Sequence, residues 1–270
     1  KTQIATIEAK QKEAYQPFQD EEMEEYSPAL GPDGNTLIFL SSSLRRGQIR
    51  FIQRTGAVSF SRLKSEKLYH IYGSLRLSWL PDSQSFIFDS VDETDLFHQY
   101  RALYEFDLKT KKVTRLTKGL RAQEPGVSPN GKNIAFIANN GASQWLGILD
   151  RETKVYKSLF RPDLNERLSH PEFISENEIA FTARSFNGEE RVYLHNLKTG
   201  ATLPHFLKEN EMRRPKFTQK GLLVTTTASG VENIAIADLV HDTLKPITNT
   251  TTAIQSADWD SRTNELIGTR

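Results

Sequence analysis

The sequence predicts an all-β protein, a six-bladed β-propeller of four-stranded blades. The clearest local evidence is the turn Ser128-Pro129-Asn130-Gly131, which precedes Ile134 and Phe136. Proline, a residue that tolerates positive φ, and glycine are turn formers. Apolar residues two places apart show the period of a β-strand and not that of a helix. The segment therefore predicts a hairpin.

The hairpin recurs along the whole chain, which is the second observation. A period of about 40–50 residues in a chain of short strands is typical of propeller blades. The equivalent turn positions are Asp33, Asp82, Asn130, Glu176, Lys220 and Arg262, at steps of 49, 48, 46, 44 and 42 residues.

Apolar and proline positions before each turn give the third observation. Bulky apolar residues stand three places before the turn position: Leu30, Trp79, Val127, Phe173, Phe217 and Trp259. Five places before it, four of the six residues are proline: Pro28, Pro125, Pro171 and Pro215. These prolines fit an innermost strand whose free edge faces the channel, or the first residue of each strand. Both interpretations mark the same place in each blade.

In chain order, residues 1–23 form a lead-in that does not match the repeat, and residues 24–270 form the propeller. For blade one we expect strands near 26–30, 36–42, 48–53 and 57–63. Blades two to five span about 75–117, 124–160, 169–207 and 213–248.

The sixth blade begins near residue 257 and has two strands before the chain stops, so we expect it to be incomplete in this chain. Residues 3–8 are a candidate ring-closing strand for it, and we expect the N-terminal segment to supply one missing strand rather than both. Lys1 begins the sequence without a methionine, so we expect a mature or excised piece of a longer protein.

Composition excludes several classes of function. The 270 residues are 37% apolar and 26% charged, enough for a sizeable core, and the net charge of +1 gives no argument for a nucleic-acid partner. The sequence has no apolar run of about 18 residues, so we expect no membrane span. With no cysteine there is neither a disulfide framework nor a thiolate metal site. We expect no metal and no cofactor, and a monomer.

The repeat resembles the TolB-like six-bladed propeller. The resemblance rests on the Ser-Pro-Asp/Asn-Gly hairpin, on third strands that end like Asp107-Leu108, and on fourth strands that end like Leu116-Thr117. It covers residues 24–270, although blade four lacks the Pro-Asp-Gly turn. The resemblance implies a periplasmic or otherwise extracytoplasmic, non-enzymatic scaffold that takes a protein or peptide segment at the channel mouth.

Catalytic motifs are absent from the sequence, and we expect this chain not to be an enzyme. It has no His-Glu-x-x-His and no Gly-x-Ser-x-Gly. The alternative is an accessory, substrate-gating propeller of a multidomain peptidase whose catalytic domain lies outside this chain. Asp92, Glu93 and Asp95 suit calcium by residue type, but their spacing favours a solvated loop. A lactonase-like metal in the channel is disfavoured because arginines would repel a divalent cation.

One distribution of charge points to a binding surface. Arginine suits bidentate recognition of carboxylates, whereas lysine is mainly a solvated point charge. We call the surface formed by loops between blades and loops between second and third strands the arginine-rich face; its arginines are Arg45, Arg46, Arg121, Arg161, Arg167, Arg184, Arg213 and Arg214. The predicted partner is acidic or carries a carboxylate. An ordinary surface with paired charges is the alternative. The candidate binding residues near the channel are Arg76, Glu124, His170, Arg213, Arg214 and Lys216.

Overall fold

The computed structural model consists almost wholly of β-strands. Among the described residues, the one helical element is a short 3-10 helix, Phe60–Arg62. The described residues are 4–8, 15–17, 24–43, 46–92, 99–141, 143–163, 165–205 and 211–269.

The chain forms two compact units, one of residues 1–73 and 216–270 and one of residues 74–215. The strands of the first unit are β1 (Ile4–Glu8), β2 (Tyr15–Pro17), β3 (Glu24–Leu30), β4 (Thr36–Ser43), β5 (Arg46–Gln53), β6 (Glu66–Ile71), β20 (Gly221–Thr226), β21 (Asn233–Asp238), β22 (Thr243–Pro246), β23 (Ser256–Asp260) and β24 (Glu265–Thr269). The strands of the second unit are β7 (Leu77–Trp79), β8 (Ser85–Val91), β9 (Arg101–Asp107), β10 (Val113–Arg115), β11 (Ala122–Val127), β12 (Asn133–Asn140), β13 (Ser143–Asp150), β14 (Tyr156–Phe160), β15 (Arg167–Ser175), β16 (Glu178–Arg184), β17 (Glu190–Asn196) and β18 (Thr202–Pro204). Strand β19 (Met212–Thr218) leads from the second unit into the first.

The strands form four-stranded sheets, as the sequence predicts. In the described part of the chain there are six such sheets, and five contain strands that follow one another in sequence. We call these five blades one (β3–β6), two (β7–β10), three (β11–β14), four (β15–β18) and five (β19–β22). The predicted all-β architecture of four-stranded blades is confirmed.

The C-terminal end supplies only the strand pair β23–β24, the incomplete last blade that the sequence predicts. In the same sheet, β1 pairs antiparallel with β24, with Ile4 opposite Thr269 and Glu8 opposite Glu265. Strand β2 pairs in turn with β1. The N-terminal segment therefore contributes two strands where we expected one, because Tyr15–Pro17 folds back along β1.

The predicted turns have the expected hydrogen bonds. Asp82 Oδ1 accepts from Gln84 N at 2.8 Å, and Asn130 Oδ1 accepts from Lys132 N at 2.9 Å. Gly131 has a φ of 72°, in the left-handed region that suits glycine. These side chains explain why Asp and Asn stand at the turns without reference to any function.

The core explains the apolar strands. In β12, residues 134–138 are all buried, because both faces of the sheet are covered. Ile134 and Phe136 pack with residues of blade two, whereas Ala135 and Ile137 pack with residues of blade four. The period of two in the sequence thus separates two hydrophobic clusters within the second unit.

One predicted strand is wrong. The fourth strand of blade one was expected at residues 57–63, but it is Glu66–Ile71. Phe60 lies in the 3-10 helix, fully buried, with the Arg54 guanidinium 4.2 Å from its ring centroid. Its apolar side chain therefore fills the core from a turn and does not mark a strand.

Candidate functional site

Four of the candidate residues occupy one equivalent place in successive blades. Arg76, Glu124, His170 and Arg214 each stand six positions before the turn residue of their blade. Glu124, His170 and Arg214 have φ values of 53°, 53° and 54°, which is the left-handed region, and each precedes a proline. Such a conformation is unusual before proline and is held only where the surrounding structure enforces it.

The innermost strands bulge at this place. The pairing of β11 with β12 shifts register between Gln123 and Gly126, and that of β15 with β16 shifts between Ser169 and Glu172. Pro125 and Pro171 thus lie within bulges in mid-strand, and not at strand starts. A bulge redirects a side chain out of the regular ladder, which explains how Glu124 comes to be aimed at the next blade.

Arg76 is buried and held by blade four. Its Nη1 donates to the Pro171 carbonyl, and its Nη2 forms an ion pair with the Glu172 carboxylate. Only 6% of Arg76 is exposed. Because both of these donors are committed within the unit, they are not available to bind a ligand at the surface.

Glu124 and His170 form the centre of the site. Glu124 Oε2 accepts from the His170 backbone N at 2.6 Å, and it lies 3.4 Å from His170 Nδ1. The His170 side chain is 31% exposed, but its Nδ1 is buried and has no hydrogen-bond partner among the described residues. The pair therefore links the bulges of blades three and four and leaves a ring edge open to solvent.

Burial governs the protonation of this pair. Burial raises the pKa of Glu124 to about 7; the Asp89 charge also raises it, while the His170 N–H and the charges of Arg76 and Arg101 oppose the rise. Burial likewise lowers the pKa of His170 well below its usual 6.5, and nearby Arg76, Arg214 and Arg213 lower it further. Perturbed groups that face each other in this way are common at functional sites.

Side-chain oxygens fix the backbone at these positions. Asp89 is fully buried and accepts from the N–H groups of Leu75 and Arg76, each at 3.1 Å. Burial raises the pKa of Asp89, opposed by Arg101 at 2.9 Å and by those two N–H groups. In the same way, Thr182 Oγ1 accepts a hydrogen bond from the Arg214 backbone N–H at 2.9 Å.

The residues that anchor the site, namely Asp89, Glu172 and Thr182, are not among those that the sequence predicts. Asp89 carried a usable signal, since a carboxylate directly after the apolar run 86–88 must find partners if that strand is buried. Glu172 and Thr182 carried none, because their partners lie in other blades of the unit.

Arg213 and Arg214 lie at the start of β19, half-buried. Arg213 Nη1 pairs with Glu190 Oε2 at 2.5 Å, and both arginines lie close enough to His170 to lower its pKa. Lys216, also half-buried, follows on the same strand in the first unit. Of the six candidate residues, five therefore belong to the second unit, where Arg76, Glu124 and His170 are in direct contact or linked through Pro171 and Glu172.

The other arginines of the arginine-rich face differ in exposure. Arg121 stacks over the Tyr100 ring at 3.7 Å, and Arg161 is exposed, 5.6 Å from the Trp145 ring centroid. Arg167 and Arg184 are exposed. Arg45 and the Arg46 side chain lie outside the described residues.

The described residues give no sign of a metal site or a membrane span. No group of three or more His, Asp or Glu side chains in this part of the chain is arranged to hold a metal ion. Asp92, considered for calcium, is paired with Arg115, while Glu93 and Asp95 lie outside the described residues. No helix in the described part is long and apolar enough to cross a membrane.

Comparisons with known proteins identify the fold. No protein-family model matches the sequence. No curated protein matches it. TolB from Acinetobacter baumannii is similar in structure, with a TM-score of 0.65 and 18% identity over 99% of this chain and 63% of that one. The chain thus spans less than two thirds of that protein's length.

Two further structures are similar over nearly their whole length. The putative TolB from Agrobacterium tumefaciens has a TM-score of 0.72 and 13% identity over 100% of this chain and 97% of that one. The β-propeller domain of the Trilobed protease from Pyrococcus furiosus has a TM-score of 0.57 and 11% identity over 90% of this chain and 88% of that one. The chain is a β-propeller of four-stranded blades that resembles TolB, as the repeat predicted.

Proposed function

We propose that this chain is a non-enzymatic scaffold that binds a protein or peptide segment at the arginine-rich face, with an acidic or carboxylate-bearing partner. The observation that carries the proposal is the shared bulge. One backbone conformation recurs at Ser27, Glu124, His170 and Arg214, each directly before a proline. Because Ser27 holds it with a neutral side chain, the backbone does not itself require the ionisable groups that stand at this place in the second unit.

Electrostatics supports an acidic partner. Burial lowers the pKa of His170 most, and the positive charges of Arg76, Arg214 and Arg213 lower it further. An approaching carboxylate would meet this positive field, and arginine binds carboxylates in a bidentate manner. Lys216 extends the positive charge along β19. In this proposal Arg213, Arg214 and Lys216 meet the partner, while Arg76, Glu124 and His170 set the local charge beneath them.

A pull-down from a lysate of the source tests the proposal. The double variant Arg213→Gln and Arg214→Gln removes two charges without placing a carboxylate against Glu190. We expect it to lose a partner that the unchanged chain retains. The control is Lys109→Gln with Lys198→Gln, which removes two charges from exposed turns at the opposite ends of blades two and four. Equal capture by all three proteins would refute binding at this face.

From the similarity to TolB we propose that the chain acts in the periplasm or in another extracytoplasmic compartment. Fractionation of cells that express the natural protein tests this. We propose in addition that the chain acts as a monomer, which light scattering tests. Recovery of the protein in the cytoplasmic fraction, or a dimer mass, would contradict these two statements.

A second candidate function is an accessory propeller that gates substrate for a peptidase domain outside this chain. The similarity to the propeller domain of the Trilobed protease favours it. A His-Glu-x-x-His or Gly-x-Ser-x-Gly motif in sequence flanking this chain in its natural gene would select this candidate.

A further inference from the structure

Blade four carries two facing arginines at the end that belongs to the arginine-rich face. Arg167 begins β15 and Arg184 ends β16, and the two are directly opposite in the strand register. Both are exposed, and neither has an ion-pair partner among the described residues. Like charges directly opposite each other on neighbouring strands destabilise a sheet. The chain therefore maintains an unfavourable pair at this site.

The neighbouring carboxylates are already engaged. Glu190 pairs with Arg213 at 2.5 Å, and Glu189 lies 3.3 Å from Arg191. Glu190 stands directly opposite Arg184 on β17, but its carboxylate is held by Arg213. The positive charge of the facing arginines is thus only partly balanced by the carboxylates beside it, and a carboxylate from outside would relieve their repulsion.

An exposed aromatic side chain stands next to this pair. Phe186 is 80% exposed at the tip of the hairpin between β16 and β17. The hairpin is closed by hydrogen bonds from Ser185 N to Glu189 O at 2.8 Å and from Gly188 N to Ser185 O at 3.0 Å. Arg184 Nη2 lies 3.8 Å from where a Cβ on Gly188 would be, so the guanidinium lies beside the turn that presents Phe186.

We infer that Arg167, Arg184 and Phe186 form a docking site for an acidic segment that carries a bulky apolar side chain. This inference rests on the proposed function and names the contact surface within the arginine-rich face. A carboxylate binds between the two guanidinium groups, and the apolar side chain covers Phe186. A lone exposed phenylalanine would need no explanation, but an aromatic ring held beside an arginine pair that no ion pair of the described residues engages fits both parts of such a segment.

The test is fluorescence anisotropy with a labelled peptide in which Glu and Leu alternate. Control peptides replace Glu by Gln or Leu by Ser. Arg167→Glu should weaken binding of the parent peptide by about tenfold, since it removes one guanidinium and repels the carboxylate. The same substitution places a carboxylate opposite Arg184, so the melting temperature should stay equal or rise, which separates lost binding from lost folding.

Matched variants sharpen the test. Lys198→Glu makes the same charge change at the opposite end of blade four and should leave the affinity unchanged. Phe186→Ser should weaken binding of the Glu–Leu peptide but not of the peptide in which Leu is replaced by Ser.

Three results would overturn the inference: no measurable binding of the parent peptide, an affinity unaffected by Arg167→Glu, or an equal loss with Lys198→Glu. If Arg167→Glu has no effect while the Arg213 and Arg214 double variant still loses its partner in the pull-down, the proposed function stands and this docking site is wrong.

Discussion

Replacing the buried carboxyl of Glu124 by an amide should stabilise the protein at alkaline pH. Glu124 is 6% exposed, and its pKa is raised to about 7, chiefly by burial. Glu124→Gln keeps the shape and an acceptor for the His170 N–H while removing the ionisation. If the carboxyl is kept for its charge and not for stability, the amide variant will be the more stable protein.

The magnitude follows from the difference in pKa between the folded and unfolded states. A rise from 4.5 to about 7 corresponds to about 3 kcal/mol at about 1.4 kcal/mol per pH unit. Because the folded pKa is the higher one, the wild type loses this stability as the pH rises from 4.5 through 7. His170 behaves in the opposite way, since its lowered pKa costs stability as the pH falls below 6.5. His170 is present in both the wild type and Glu124→Gln, so its contribution largely cancels in the difference between their free energies of unfolding.

Urea unfolding at a series of pH values measures this difference. We expect the free energy of unfolding of Glu124→Gln to exceed that of the wild type by up to about 3 kcal/mol at about pH 8. The two values should approach each other at about pH 4.5. Glu172→Gln is the control, since it leaves buried Arg76 without its carboxylate and should destabilise by about 3–5 kcal/mol. A difference between Glu124→Gln and the wild type that does not vary with pH would refute the raised pKa.

Three stability predictions concern the packing of the blades, all measurable by urea unfolding. Arg54→Ala should cost about 3–5 kcal/mol, because it leaves the fully buried Asp260 without its bidentate partner at 2.5 and 2.7 Å. Burial raises the pKa of Asp260, but hydrogen bonds, above all from Arg54, outweigh it and lower the pKa, so this contribution is lost in acid as the carboxylate is protonated. The difference in stability between the variant and the wild type should therefore shrink as the pH falls, and a difference that stays constant into acid would contradict this. Trp79→Ala should cost about 3–5 kcal/mol as a buried aromatic, and an unchanged midpoint would refute the assignment of its strand. Gly126→Ala would place a Cβ 2.2 Å from the Pro171 carbonyl oxygen and should destabilise by at least about 1–3 kcal/mol; full tolerance would show that the two innermost strands do not approach so closely.

The fold was predictable because its information is local and repeated. Turn residues such as Asp82 and Asn130 act on their own backbone, so their role can be derived from the sequence. The misplaced fourth strand of blade one shows the limit of this approach. Phe60 fills the core from a short 3-10 helix, and an apolar residue near a strand end carries no sign of which element holds it.

The site was predictable only in part. The repeat aligned Arg76, Glu124, His170 and Arg214 without any knowledge of the structure. It did not reveal that Arg76 is committed to Glu172 or that Arg213 is paired with Glu190, because these contacts join residues of different blades. Arg167 and Arg184 stand directly opposite each other on neighbouring strands. The sequence does not reveal this, because it depends on the register in which β15 pairs with β16.

Hydrogen exchange with and without the captured partner tests most directly whether binding occurs at the arginine-rich face. The account predicts slower amide exchange in residues 167–170, 184–190 and 211–215 when the partner is bound. The turns at the opposite ends of the same sheets, at residues 107–112, 150–155 and 196–201, should exchange as before. Protection confined to those turns would contradict the account.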